Sequence, residues 1–95
     1  MEVTTRELRQ AVTKLLDHLD EAGHGLLNIN NDYYWSIPAN QRYDPYKEPA
    51  KFTLGQLSDD WSEIKRIIAG ESAPIGYGLV WLSAVIRAIG EEEAP

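Results

Sequence analysis

The chain has 95 residues, no cysteine and a formal net charge of −6. One domain with one modest core is what this length allows, and without cysteine there is no disulfide framework, thiolate zinc site or cysteine nucleophile. No apolar run approaches the ~18 residues that would span a membrane.

The acidity is unevenly placed. Residues 1–22 carry −2, residues 23–57 are neutral, residues 58–90 carry −1, and Glu91–Glu93 supply the remaining −3. No concentrated basic face is present, which speaks against nucleic-acid binding. With only about half the charge in the folded part, a nucleic-acid mimic is also disfavoured. The start, Met-Glu-Val-Thr-Thr-Arg-Glu, lacks the apolar region of a signal peptide, so a cytoplasmic location is expected.

Residues 4–22 predict an amphipathic helix. Thr4 is its N-cap and Glu7, three residues on, completes a capping box. Leu8, Val12, Leu15, Leu16 and Leu19 share one helical face, and Gly23 is the stop. Residues 26–29 (Leu-Leu-Asn-Ile) and 33–37 (Tyr-Tyr-Trp-Ser-Ile) suggest short strands, with Asn30-Asn31-Asp32 as the turn between them. Alternation predicts Tyr33, Trp35 and Ile37 facing the core and Tyr34 facing away.

Pro38, Pro45 and Pro49 argue against a long helix over 38–50, though Ala39–Tyr43 has room for one turn. Residues 51–57 lead into a second helix capped by Ser58, with Asp59 and Asp60 in the first turn. Trp61, Ile64, Ile67 and Ile68 form its apolar face, and Gly70 ends it. A third helix is predicted over 75–89, with a wide apolar face that includes Trp81, and with Gly90 as its stop. Gly76 and Gly78 weaken its first turn or allow close packing there. Residues 91–95 are expected to form a disordered acidic tail behind a single 1–90 domain.

The fold class predicted is mainly α: three helices, with a short β element or irregular excursion between the first and second. The competitor is an α+β arrangement in which 26–29, 33–37 and 51–54 pair as a small antiparallel sheet.

Chemistry is sparse. Asn28, Asn30 and Asp32 start like a calcium loop, but Tyr33 and Ala39 stand where Gly and Glu are needed. His18 and His24 lack the i, i+4 spacing that puts two metal ligands on one helical face. Asp59 and Asp60 have a complete explanation as first-turn acids. No nucleophile–base set stands out, so no catalytic, cofactor or metal residue is assigned.

The aromatic stretch 31–46 is the remaining feature, with Tyr33, Tyr34, Trp35, Tyr43 and Tyr46 among the nine aromatics of the chain. These side chains either cover the helices or form a recognition surface, since Tyr and Trp give large contact area with few rotors. Tyr34, Arg42, Tyr43, Tyr46 and Lys47 are the candidate partner-binding residues. The stretches DYYWSIP (32–38) and LGQLSDDW (54–61) resemble a family of small, uncharacterised bacterial proteins over about residues 26–90. The resemblance implies a single domain and no particular activity, cofactor or partner.

The function expected is that of a non-enzymatic protein-interaction module, immunity- or antitoxin-like or a homodimer. The alternative is a ligand-binding protein or enzyme with a pocket lined by the 32–47 segment.

Overall fold

The computed structural model describes residues 1–92. The first helix, α1, runs Thr5–Glu21, and Thr4 caps it as expected. The Glu7 N–H donates to Thr4 Oγ1 at 3.0 Å, and the Thr4 hydroxyl donates to Glu7 Oε1 at 2.8 Å. The carboxylate thus takes the cap hydroxyl rather than the cap backbone N–H of the standard box. At the other end Gly23 has φ +87°, and the N–H groups of Gly23 and His24 reach back to Asp20 and Leu19. This double bond pattern with a left-handed glycine stops the helix.

Two strands follow, β1 (Tyr33–Ser36) and β2 (Thr53–Gln56), paired antiparallel with Tyr34 opposite Gly55 and Trp35 opposite Leu54. Between them lies a single helical turn, α2 (Ala39–Arg42). β2 runs directly into α3 (Leu57–Ile68), which ends at Gly70 (φ +76°) in the same double-bonded stop as α1. The last helix, α4, spans Gly78–Glu92. Among the described residues the protein is therefore mainly α, with four helices and a two-stranded antiparallel sheet.

Three expectations about the elements are corrected. Residues 26–29 form no strand, because β2 pairs only with β1 and no third strand joins the sheet. Gly90 does not stop α4, which continues to Glu92, so Glu91 and Glu92 are helical rather than part of a disordered tail. The physical reason lies in two side chains. Arg87 Nε donates to Glu91 Oε1 at 2.9 Å one turn apart, and the Glu92 carboxylate accepts from the Asn30 and Asn31 backbone N–H groups and from Asn31 Nδ2. A carboxylate at a helix C-terminus opposes the helix dipole, and these donors offset that penalty. The remaining tail residues lie outside the described ones. Finally, Ser58 is not the N-cap of α3. Gln56 holds that position and makes no side-chain cap bond.

The core is small and sits between α3 and α4, the only helices that pack extensively on each other among the described residues. Leu57, Ile64 and Val85 are its buried side chains. Gly78 allows the start of α4 to come close, since a Cβ there would stand 3.4 Å from Ile67 Cδ1. Trp81 is half-buried and stacks edge-on against Tyr77 at 5.6 Å. Trp61, expected in the core, is 40% exposed, and Ile75, Leu79 and Ile86 of the third predicted helix are exposed too. No side chain of α1 is buried.

Candidate interaction surface

The strand pair faces the opposite way from the alternation argument. Tyr34 turns inward onto α3, while Tyr33 and Trp35 are exposed. The determinant is Gly55, directly across from Tyr34. A Cβ at that position would overlap the tyrosine ring, so only glycine lets the ring lie across the partner strand. The Tyr34 hydroxyl then donates to Asp60 Oδ2 at 2.5 Å. Burial, and then this bond, push the Tyr34 pKa up to about 12. The opposite face of the ribbon carries Tyr33, Trp35, Phe52 and Leu54 in solvent. Phe52 forms with Trp35 a shallow depression of about 230 Å³.

Asp32 joins the ribbon to α3. Its Oδ1 accepts from the Ser58 N–H at 2.9 Å, and its Oδ2 from Gln56 Nε2 at 2.7 Å and from the Ser58 hydroxyl at 3.2 Å. Its backbone carbonyl takes the Leu57 N–H at 2.6 Å. Asp32 thus caps α3 from 26 residues away and does the work expected of Ser58. These bonds, the Gln56 one foremost, hold its pKa below the ordinary 3.8.

The five sequence-predicted contact residues separate. Tyr34 belongs to the α3 joint. Arg42 folds back, its Nη2 donating to Ser36 Oγ at 3.0 Å and to the Ile37 carbonyl at 2.7 Å, so it secures the end of β1. Tyr43, Tyr46 and Lys47 remain exposed together on the 43–50 loop. Gln41 Oε1 closes the base of that loop by accepting from the Ala50 and Lys51 N–H groups.

A larger feature lies elsewhere. The apolar faces of α1, α3 and α4 converge on a cleft of about 640 Å³ and do not close it. Val12 and Leu16 of α1 form one wall, and Leu26, Leu27 and Ile29 form a second. Trp61 of α3 with Leu82, Ile86 and Ile89 of α4 complete it, and Asn31, Asp32 and Ser58 lie at its polar end. Of the 32–47 segment only Asp32 contributes to this cleft, while Trp35 lines the separate shallow depression. The rim is open: Leu16 is 49%, Trp61 40%, Ile86 45% and Leu26 81% exposed. The sequence signal for it was three amphipathic faces, all read as core.

Among the described residues no three His, Asp or Glu side chains come together in a way that could hold a metal ion, and no helix is long and apolar enough to cross a membrane. No family model, no curated protein and no solved structure matches this chain.

Proposed function

We propose that the chain is a small, non-enzymatic, cytoplasmic protein-interaction module, and that its contact surface is the apolar cleft between α1, the 25–29 segment, α3 and α4. One observation carries this reading. The molecule exposes 8051 Å² with a radius of gyration of 15.1 Å. A compact monomer of 10.7 kDa exposes about 5,500 Å² and has a radius near 12 Å. Part of the surplus lies where apolar helix faces fail to meet, with Leu16, Leu26, Trp61 and Ile86 exposed around the cleft, and such patches on folded chains mark interaction sites. The carboxylate nearest the cleft, Asp32, is already occupied as a helix cap, which favours contact over acid–base chemistry.

The test compares the tagged wild type with Ile86→Glu, a change at the exposed rim. Capture from extract of the native host, followed by mass spectrometry, should recover a protein with the wild type that the variant loses, at similar melting temperature. Equal recoveries from both would overturn the reading. A second reading is a small apolar ligand, favoured by a volume within the ~300–1,000 Å³ of ligand pockets. It predicts that the wild type purifies with an extractable small molecule in the cleft.

A further inference from the structure

Resting on the interaction reading, we propose that the occupant is a second copy of this chain, docked through α1 as an antiparallel helix pair about a two-fold axis. Leu8, Val12, Leu15 and Leu19 follow a 4-3-4 spacing, the seam of a two-helix coiled coil. Leu8 is 47% and Leu15 66% exposed, and no other element packs extensively on this helix. At Leu8 and Leu15 the seam is therefore formed but unused within the chain, while Val12 lines the cleft.

The charges of α1 choose the orientation. Arg6, Arg9 and Lys14 outnumber Glu7 in its first ten residues, and Asp17, Asp20 and Glu21 lie in its last five. Apart from Glu7 at the Thr4 cap, this order runs against the helix dipole, which favours acids at the start and bases at the end. An antiparallel neighbour changes the sign. Its acidic half lies over the basic half of the first copy, and the two dipoles also oppose each other. A parallel pair would set like charges side by side. With the two-fold between residues 13 and 14, Leu8 meets Leu19 of the second copy and Val12 meets Leu15. Arg6 then comes level with Glu21 and Glu7 with Asp20, all of them off the seam, so the attraction is between the net charges of the two halves, +2 against −3, rather than between paired side chains.

Area argues the same way. A 17-residue helix spans only about 25 Å, so the seam alone would be weak. The second copy must also cover the cleft mouth, whose rim begins at Leu16 on the same helix. The surface in excess of a compact monomer, about 2,500 Å², matches the upper range that obligate homodimers bury from each partner. An isologous contact buries that surface on both copies at once.

Sedimentation equilibrium of the full chain from 1 to 100 µM tests this. The wild type should be a dimer, and Leu15→Glu should raise the dissociation constant at least about 100-fold, since two carboxylates enter the seam. Helical circular dichroism should stay unchanged, because Leu15 is exposed in the single chain. A wild-type monomer at 100 µM overturns the proposal. So does a dimer that Leu15→Glu leaves intact. The chain has no cysteine, so single spin labels are readily placed at Lys14→Cys and Glu21→Cys. The antiparallel pair puts the labels near each other at 14 and roughly 20 Å farther apart at 21. Equal separations overturn the orientation. A monomer that still captures a host protein lost in Ile86→Glu would remove the second copy and leave the interaction reading standing.

Discussion

The two sides of this molecule are built by opposite means. On one side the ribbon β1–β2 meets α3 through a dense set of hydrogen bonds: Asp32 to Gln56, Leu57 and Ser58, and Tyr34 to Asp60. Little apolar area is buried there, yet each group has a defined partner. On the other side α1, α3 and α4 bring together large apolar faces that fail to close. A two-stranded ribbon is marginal alone, and directional polar contacts are what hold it in one place. Apolar faces carry no such direction, and here they leave a cleft open. The polar joint fixes the ribbon on α3, and the apolar side carries the surface proposed for contact.

The sharpest way to break this contrast is Gly55→Ala. Its Cβ collides with the Tyr34 ring and lifts the ribbon from α3, at a cost of about 3 kcal/mol, read as a fall in Tm of more than ~10 °C. Adding Tyr34→Ala should recover part of that loss in a double-mutant cycle. An unchanged Tm for Gly55→Ala would show that the ribbon does not depend on this approach.

Asp32→Ala should follow, with a larger fall than any single tyrosine hydroxyl can produce, because it strips three acceptor contacts at once, the α3 cap among them. The pH dependence has a definite sign. With its folded pKa below the ordinary 3.8, Asp32 contributes stability above that value and loses it as the pH falls through the folded pKa. The wild type should therefore lose stability below pH ~4 more steeply than Asp32→Asn, measured by urea unfolding.

Tyr34→Phe removes one hydrogen bond and should cost about 1 kcal/mol near neutral pH. Its folded pKa of about 12 lies above the ordinary 10.0, so its contribution is complete below pH 10 and lost as the pH rises toward 12. Ultraviolet titration should show one tyrosine ionising after the other four, and that last step should vanish in Tyr34→Phe. The smallest effects belong to Tyr43→Ala and Tyr46→Ala. These side chains are 82% and 97% exposed, and their loss should stay within ~0.5 kcal/mol by chemical unfolding.

Much of the helical content was legible because its signals are local. Thr4 with Glu7, the apolar spacing from Leu8 to Leu19, and the stops at Gly23 and Gly70 all act within a turn or two of the chain. The ribbon was only half legible. Alternation divides 33–37 into two faces but does not say which one is inside. Gly55 held the missing signal, since a glycine within a strand marks a close approach, here by the ring of Tyr34. The contact residues were read least well. Tyr34 and Arg42 have the composition of a recognition surface but spend their polar groups on Asp60, Ser36 and Ile37. Nothing in the local sequence distinguishes those uses.

By itself the sequence determined both ends of α1, the stop of α3 and which helical residues share a face, because capping, glycine conformation and the 3.6-residue period are short-range effects. Only the tertiary structure decided which faces meet. Asp32 caps a helix 26 residues away, Glu92 holds a loop 62 residues behind it, and Trp61 stands at a cleft rather than in a core. These outcomes depend on distances between distant segments, and a one-dimensional pattern of apolar faces is silent about whether the fold closes over them.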